Sequence, residues 1–287
     1  MSKHPILPVV LTIAGSDSGG GAGLQADLHT FAALRVHGTC ALTCLTAQNP
    51  RQVLGVEPCS PKMLRLQLSA VFAELPPAAA KTGMLYSARN IALVAEFFQP
   101  RPCPLVVYPV MVSTSGARLL QPAAEKSLRE KLLPLATLVT PNLDEAQILV
   151  GAKISNPEQM RAAAREIHAR YGCAVLLKGG HLKNCRTAID IFFDGKTELL
   201  LSAPFVKGVS THGTGCTYSA AIVAALARGH ALPHAVELGK NFITAAISHS
   251  SRIGRHFTLG HPTGSAAAAG KTERHSSPSA TGCSCCS

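Results

Sequence analysis

Short runs of apolar residues alternate along the chain with longer segments in which apolar residues recur at helical spacing. We predict strands at Pro8–Ala14, Cys40–Thr46, Ala79–Thr82, Leu105–Val107, Thr137–Thr140 and Ala174–Lys178. Because these runs are apolar throughout, they indicate a parallel sheet that is buried on both faces. We predict helices at Leu24–Leu34, Pro61–Glu74, Ala88–Phe98, Ala123–Leu133, Pro157–Tyr171, Thr217–Arg228 and Pro233–His249. This alternation predicts an α/β fold with a doubly wound, mostly parallel sheet and helices on both faces.

The pattern changes in the last third of the chain. Two apolar segments, Ala188–Phe193 and Leu199–Leu201, flank Asp194-Gly195-Lys196, and an Asp-Gly pair favours a tight hairpin, so we expect an antiparallel edge there. With no internal repeat and no second domain evident, residues 1–261 are predicted to form one domain. Residues 262–287 are rich in Ala, Gly, Ser and Thr without a periodic apolar face, so we predict a disordered tail.

Composition and length exclude several classes of protein. Among the 287 residues, 47% are hydrophobic and 15% are charged, which is typical of a globular protein and not of a disordered one. No apolar stretch reaches the roughly 18–20 residues of a membrane span. The apolar N-terminal run Ile6–Ala14 contains Pro8 and lacks a small-x-small cleavage pattern, so we interpret it as a buried strand and not as a signal peptide. We therefore expect a cytoplasmic protein that does not bind a membrane.

The charge distribution argues against a nucleic-acid partner, and the cysteine spacing argues against zinc and disulfides. The net charge is +11, but the basic residues are dispersed, Trp is absent and only 5% of residues are aromatic. A nucleic-acid binder would group its basic residues with aromatics between them, so we expect small anionic ligands instead. The ten cysteines form no paired CxxC set, which argues against a structural zinc site and against a disulfide framework.

A glycine-rich loop, residues 15–23, follows the first predicted strand and precedes a helix. Gly21-x-Gly23-x-x-Ala26 could be interpreted as the dinucleotide fingerprint of an oxidoreductase. That motif requires an acidic residue at the end of the second strand, whereas the second predicted strand ends in Thr43-Cys44-Leu45-Thr46. The oxidoreductase interpretation is therefore disfavoured, although glycines here still let the backbone approach a ligand closely.

Two further loops follow predicted strands, and ligands gather at the carboxyl ends of such strands. In Thr140-Pro141-Asn142-Leu143-Asp144-Glu145, Asn142 and Glu145 could form a helix capping box, or they could organise Mg²⁺ beside a triphosphate. In Thr211-His212-Gly213-Thr214-Gly215-Cys216, glycine N–H groups and a helix N-terminus favour an oxyanion, and we expect the same field to lower the pKa of the Cys216 thiol. No Walker lysine follows, so this turn is not a P-loop.

Seven stretches in order make the chain similar to the ribokinase-like superfamily, and within it to the hydroxymethylpyrimidine/phosphomethylpyrimidine kinases of the thiamine pathway. They extend from about residue 9 to residue 250 and read LTIAGSDSGGGAGLQADLHTF, TAQN, KTGML, PVMV-x-x-SG, TPNLDEA, LLKGGH and STHGTGCTYSAAI. The resemblance implies a ribokinase-like fold, ATP and Mg²⁺ as cofactors, and a homodimer. It implies two transfers of the ATP γ-phosphate, first to 4-amino-5-hydroxymethyl-2-methylpyrimidine and then to its monophosphate.

The resemblance also implies roles for individual residues. The pyrimidine would be surrounded by Gly15, Asp27, Gln48, Met84 and Val110. Gly213, Thr214 and Gly215 would hold the transferring phosphoryl group, and Cys216 would stand where most ribokinase-like enzymes have an aspartate base. Thr211, Lys178 and Lys240 would bind the ATP, and Asn142 and Glu145 would serve Mg²⁺.

The chain departs from the family pattern at two positions. Tyr108 stands in Tyr108-Pro109-Val110-Met111 where the family has aspartate, and Thr114 stands where it often has lysine. A phenol carries no charge at neutral pH, so metal binding and turnover are the properties at risk. Three interpretations therefore stay open: an active pyrimidine kinase, a weakly active or inactive pyrimidine-binding relative, and a pyridoxal or pyridoxine kinase.

Overall fold

We describe a computed structural model of the chain. It describes residues 6–111, 120, 122–180, 182, 187–206, 212–263 and 273–275. Its main sheet has nine strands in the order β13-β10-β9-β8-β7-β6-β5-β1-β2. The strands are β1 Val9–Ala14, β2 His37–Leu42, β5 Ala79–Thr82, β6 Leu105–Val107, β7 Leu138–Val139, β8 Ala174–Lys178, β9 Thr187–Phe193, β10 Glu198–Pro204 and β13 Glu273–His275.

Six neighbouring strands of this sheet pair in parallel, in the spatial order β2, β1, β5, β6, β7 and β8. Strands β9 and β10 form an antiparallel hairpin next to β8, and β13 pairs antiparallel with β10. Four short strands lie outside this sheet in two separate hairpins: β3 Cys44–Asn49 with β4 Gln52–Pro58, and β11 Ser251–Ile253 with β12 His256–Thr258. The predicted mostly parallel sheet and its antiparallel late hairpin are confirmed.

Eight α-helices connect the strands of the described chain. They are α1 Gly23–Ala33, α2 Pro61–Glu74, α3 Ala88–Phe98, α4 Pro122–Ser127, α5 Leu143–Val150, α6 Pro157–Tyr171, α7 Thr214–Ala227 and α8 Leu232–Ser248. Side-chain oxygens cap several of these helices, since Ser60, Ser87 and Asn156 each accept a backbone N–H of the first helical turn.

The sheet separates two hydrophobic cores. One core joins the sheet to α2, α3, α5 and α6 through side chains such as Leu68, Phe98 and Ile167. The other joins it to α1, α7 and α8, where Phe31 and Val223 are fully buried. Since both faces are covered, the polar groups that follow the parallel strands are confined to one rim of the sheet.

Several predicted elements were wrong in their bounds, and three of them show why. The predicted strand Cys40–Thr46 is two strands, because Thr43 is fully buried and hydrogen bonded to Ala14 and Met84, and the chain leaves the sheet there. The predicted helix Ala123–Leu133 changes at Ser127 into a π turn and a 3₁₀ turn, and Pro134 lacks the N–H that would continue it. Helix α7 begins at Thr214, three residues earlier than predicted.

The tail was predicted to be disordered over residues 262–287. Within that segment the structure describes 262, 263 and the edge strand β13, and this strand is an exception to the prediction. The rest of the segment lies outside the described residues. None of the described helices has the length and apolar character that a membrane crossing requires.

Candidate active site

A cavity of about 440 Å³ opens at the carboxyl ends of the parallel strands. Gly15 follows β1, Gly83 follows β5, Tyr108 follows β6 and Asn142 follows β7, while Lys178 ends β8, and all five line the cavity. Most of the residues that the sequence singled out line it too: Gly15, Gln48, Met84, Val110, Asn142, Lys178, Gly213, Thr214, Gly215, Cys216 and Lys240. The parallel topology thus brings together segments that are up to 225 residues apart, from Gly15 to Lys240.

One wall of the cavity is formed where the glycine-rich loop meets strand β3. Ser18 and Gln48 exchange two hydrogen bonds, from the Ser18 hydroxyl to the Gln48 carbonyl at 2.6 Å and from the Gln48 N–H to the Ser18 oxygen at 2.8 Å. A Cβ atom on Gly15 would lie 2.7 Å from the Cys44 sulfur and 3.1 Å from the Met84 methyl carbon, so only glycine fits here. A planar ring fits such a wall, since the Gln48 amide offers both a donor and an acceptor.

The resemblance implied that Asp27 is one of the residues around the pyrimidine, and the structure places it behind the cavity wall. Its side chain is fully buried on α1 and is not part of the cavity lining. One carboxylate oxygen of Asp27 accepts a hydrogen bond from the Lys81 ammonium at 2.6 Å, and the other accepts one from the Thr12 hydroxyl at 2.6 Å. Since Lys81 also donates to the Cys216 carbonyl at 3.3 Å, this ion pair supports the first turn of α7 from behind.

The turn from Gly213 to Cys216 is the N-terminal turn of α7 itself. Gly213 is the N-cap residue in the left-handed region, at φ 80°, and its carbonyl accepts the Thr217 N–H at 2.9 Å. The backbone N–H groups at this end therefore point into the cavity region with the positive end of the helix dipole, as an oxyanion site requires. Thr211, which was predicted to bind ATP, lies outside the described residues, as does Thr114.

The expected low pKa of Cys216 was wrong. Burial raises the pKa of the thiol, and the negative charge of Asp27 adds to that effect. The charges of Lys81 and Lys178 and the Gly23 N–H favour the thiolate without cancelling the cost of burial. The sequence suggested the helix dipole but could not show how much water the folded site removes from the sulfur. At neutral pH the thiol keeps its proton.

Tyr108 lies between Lys178 and the turn from Gly213 to Cys216. The Lys178 ammonium lies 4.0 Å from the centroid of the Tyr108 ring, a cation–π contact. The phenol oxygen approaches the phosphate-binding turn so closely that a Cβ atom on Gly215 would lie 2.5 Å from it. Burial and the nearby Glu145 carboxylate raise the pKa of Tyr108, so the phenol is neutral. Burial lowers the pKa of Lys178, which Glu145 partly opposes.

Asn142 and Glu145 form the capping box that the sequence suggested as one of two roles. The Asn142 side chain accepts the Glu145 N–H at 2.9 Å, and a Glu145 carboxylate oxygen accepts the Asn142 N–H at 2.8 Å. The other carboxylate oxygen of Glu145 is buried without a hydrogen-bond partner. Burial raises the pKa of Glu145 to about 7, although the charge of Lys178 opposes this.

These groups fit the chemistry of Mg²⁺. The ion prefers one or two carboxylates, completed by water and nucleotide phosphates. Asn142 and Asp144 line the cavity, whereas Glu145 is fully buried behind them, where the Met111 N–H lowers the pKa of its carboxyl group. Among the described residues no group of three or more His, Cys, Asp or Glu side chains could hold a metal ion. Mg²⁺ binding by Asn142 and Glu145 stays a prediction.

Lys240 lines the cavity from α8, and only 4% of its surface is exposed. Its ammonium donates to the Asp190 carboxylate at 2.8 Å and to the Ala188 carbonyl at 3.2 Å. Sequence reasoning missed Asp190, because nothing in the β9 pattern distinguishes it from a solvent-facing strand position. The role of Lys240 towards nucleotide phosphates stays a prediction.

Three other residues near the site were also missed. Asp17 and His212 line the cavity and are hydrogen bonded to each other, and Lys81 supports the site from behind. Asp17 lies in the glycine-rich loop, and His212 immediately precedes the turn from Gly213 to Cys216, which we call the phosphate-binding turn. Both residues therefore belong to segments that the sequence had singled out. Only the folded structure shows that the two segments touch.

Comparison with known proteins identifies the family of this chain. Residues 17–261 match the family described as phosphomethylpyrimidine kinase. The chain is 46% identical over 256 residues to the hydroxymethylpyrimidine/phosphomethylpyrimidine kinase of Synechococcus elongatus, with 89% of this chain and 97% of that protein covered. It is 48% identical over 254 residues to the thiamine biosynthesis bifunctional protein of Geobacter sulfurreducens, covering 88% of this chain but only 52% of that protein.

A solved structure shows the same architecture. The ADP complex of Bacillus subtilis pyridoxal kinase superposes with a TM-score of 0.82 at 37% sequence identity, covering 89% of this chain and 98% of that one. The predicted ribokinase-like fold is therefore confirmed.

Proposed function

The chain belongs to the phosphomethylpyrimidine kinase family, and on that premise we propose that it phosphorylates 4-amino-5-hydroxymethyl-2-methylpyrimidine with ATP and then phosphorylates the monophosphate to the diphosphate. The observation that carries the proposal is the convergence of Gln48 and the Gly213–Cys216 turn on one cavity. Gln48 suits the polar edge of a pyrimidine, and the turn suits a phosphoryl group.

In the proposed reaction the hydroxymethyl oxygen forms a bond to the γ-phosphorus while the bond to the β-phosphate oxygen breaks, leaving ADP. Such transfers proceed through a loose transition state, so positioning and charge neutralisation matter more than a strong base. The N–H groups at Gly213–Gly215 would hold the transferring oxygens, and Lys178 would neutralise their charge. Bound Mg²⁺, with Glu145 and Asn142 beside it, would screen the nucleotide phosphates.

Cys216 has a narrower role in this proposal than a catalytic base. A thiol whose pKa is raised by burial keeps its proton near pH 7 and removes the hydroxyl proton poorly. It can still orient the hydroxymethyl group by accepting or donating a weak hydrogen bond. The hydroxyl proton would then leave with the newly formed phosphate.

A second candidate is a weakly active or inactive pyrimidine-binding relative, and Tyr108 is the observation that favours it. The phenol lies against Gly215, beside the transfer path, and it supplies no charge to a metal. Under this alternative the pyrimidine would bind normally, because Gln48 and Gly15 are unaffected, but phosphate transfer would be slow.

We also infer a cytoplasmic homodimer from the resemblance. Leu45 and Leu54 of the β3–β4 hairpin expose 55% and 71% of their surface, which supports assembly through that hairpin. Size-exclusion chromatography with light scattering would measure the mass directly.

Steady-state assays on three acceptors test the function. Purified protein with ATP and Mg²⁺ is offered the hydroxymethylpyrimidine, its monophosphate or pyridoxal, and ADP formation is followed. The proposal predicts that both pyrimidines have a higher kcat/KM than pyridoxal. A higher kcat/KM for pyridoxal would show that the chain is a pyridoxal kinase. Tight pyrimidine binding without turnover would show that the chain is an inactive pyrimidine-binding relative.

A further inference from the structure

The two glycine-rich segments of the site are in direct backbone contact. A Cβ atom on Gly213 would lie 1.8 Å from the Gly21 carbonyl oxygen, so the phosphate-binding turn lies directly on the loop of residues 15–23. A Cβ atom on Gly21 would in turn lie 2.9 Å from the His212 ring. The relative position of the two segments therefore depends on what joins them.

A hydrogen bond between Asp17 and His212 links the two segments. The His212 Nε2 atom lies 3.1 Å from a carboxylate oxygen of Asp17, and since a carboxylate only accepts, Nε2 carries the proton. Asp17 also accepts the Gly19 N–H at 2.8 Å and the Ala22 N–H at 2.9 Å, so the same side chain shapes the loop. Its own N–H donates to the Gln25 side chain at 2.8 Å.

The electrostatics favour an ionised Asp17. Only 3% of its side chain is exposed, and burial alone would raise its pKa. The hydrogen bond from His212 and those from Gly19 and Ala22 outweigh burial and lower the pKa. A buried carboxylate that is charged and fully hydrogen bonded holds its partners in a defined geometry.

The hydrogen bond between Asp17 and His212 connects the pyrimidine side of the cavity to its phosphate side. The loop of residues 15–23 borders the wall that carries Gln48, through the paired hydrogen bonds of Ser18. His212 immediately precedes the Gly213–Cys216 turn. A shift of the loop against the turn would therefore change the distance between the acceptor oxygen and the phosphoryl group, and an error of about 1 Å can cost a hundredfold in rate.

We propose that Asp17 and His212 are a pair of positioning residues that lock the pyrimidine-side loop to the phosphate-binding turn, and so hold acceptor and phosphoryl group in register. The inference rests on the proposed function for its kinetic consequence. Neither residue need touch the reacting atoms. A positioning role affects kcat more than the binding of either substrate, whereas a merely structural role would lower stability and both parameters together.

The test compares His212→Ala with His212→Gln, whose amide nitrogen can still donate to Asp17 from about the same position. His37→Ala is the matched control, because His37 is exposed at the opposite end of the sheet, where β2 begins. The measurements are kcat, both KM values, the melting temperature, and hydrogen exchange of the peptide that covers residues 15–23.

We expect His212→Ala to lower kcat tenfold to a hundredfold, with both KM values within about threefold of wild type and the melting temperature nearly unchanged. His212→Gln should recover most of the lost rate, and the 15–23 peptide should exchange faster only in the alanine variant. An unchanged kcat, or equal losses in kcat and KM, would overturn the positioning role while leaving the kinase function in place. If the wild type itself transfers no phosphate, the proposed function fails, and the exchange data alone decide: equal exchange in wild type and His212→Ala overturns the lock.

Discussion

The Lys178 ammonium lies 4.0 Å from the centroid of the Tyr108 ring, in the cavity that we propose binds the phosphates. This contact fixes the lysine next to the phosphate-binding turn, because the Tyr108 hydroxyl lies against Gly215. A buried cation–π contact contributes on the order of 2 kcal/mol. The Tyr108 ring thus holds the Lys178 ammonium by a cation–π contact. The aspartate of the family pattern, at the same position, would hold the ammonium by its charge.

Replacing Tyr108 tests what the phenol costs in activity. We expect Tyr108→Asp to lower the Mg²⁺ concentration for half-maximal rate and to raise kcat about tenfold, since a charged contact contributes about 1.5–3 kcal/mol. Tyr108→Phe keeps the ring over Lys178 and should stay within about threefold of wild type. Mg²⁺ titrations of the three proteins measure this, and an Asp variant no faster than wild type would show that the phenol does not limit turnover.

The phosphate-binding turn should not tolerate a side chain at Gly213. Gly213→Ala adds left-handed strain, about 1–2 kcal/mol, to a clash with the Gly21 carbonyl. Gly229→Ala is the control, since Gly229 has a similar φ of 85° and open space around it. We expect Gly229→Ala to lose stability only, whereas Gly213→Ala loses nucleotide binding as well. Urea unfolding and calorimetric ATP titration measure the two quantities, and equal effects of both changes would contradict the close packing of the two segments.

The buried pair of Asp27 and Lys81 should separate stability from activity. Asp27→Asn leaves the lysine charge buried without its partner and should cost about 3–5 kcal/mol of unfolding free energy. The double variant Asp27→Leu with Lys81→Met should recover much of that stability. It should still be slow, because the Lys81 hydrogen bond to the Cys216 carbonyl is lost.

Urea unfolding and kcat are measured on the single and the double variant. Glu96→Gln, which breaks the exposed ion pair with Arg65, is the control and should change stability little. Full activity in a stable double variant would refute the supporting role that we assign to Lys81.

Glu145 predicts a pH dependence of folding. Its pKa is raised to about 7 in the folded protein, against an ordinary 4.5, so the folded state holds the proton more tightly than the unfolded state. The resulting stability is present below pH 4.5 and is lost as the pH rises through 7, a loss of up to about 3 kcal/mol. Urea unfolding with a chelator should therefore show wild type losing stability from pH 5 to 8 relative to Glu145→Gln. The exposed Glu74→Gln is the control, and parallel curves for wild type and Glu145→Gln would contradict the raised pKa.

Cys216 should matter to turnover more than to binding. We expect Cys216→Ala to lower kcat by about a hundredfold with small changes in KM, because the acceptor loses its orientation. Cys216→Ser should retain a larger share of the rate, because a hydroxyl can also orient the acceptor. Cys103→Ala, at the opposite rim of the sheet before β6, should behave like wild type. Equal losses in kcat and in pyrimidine binding would make the thiol a binding contact only.

The sequence predicted the elements whose pattern is local and strong. The apolar runs of β1, β5 and β8 and the amphipathic α6 lie where their periodicity indicated. The β3–β4 hairpin was missed because most of β4 is exposed and has no apolar alternation. This hairpin contributes to the site only in the folded protein, where β3 carries Gln48 to the cavity.

The site divides in the same way. The turn from Gly213 to Cys216 could be proposed because its glycines are visible in the sequence, and Gln48 because of the family resemblance. The withdrawal of Asp27 behind Lys81, the high pKa of Cys216 and the contact of Asp17 with His212 depend on burial and on residues far apart in the chain. No spacing rule encodes such distances.

We propose that one cavity carries out both phosphate transfers. A ³¹P magnetic resonance time course with ATP, Mg²⁺ and the hydroxymethylpyrimidine follows both products in a single sample. We expect a monophosphate resonance that rises first and is then replaced by that of the diphosphate, with ADP formed at two equivalents per pyrimidine. ATP that stays intact beside a correctly folded protein, or a product that stops at the monophosphate, would contradict it.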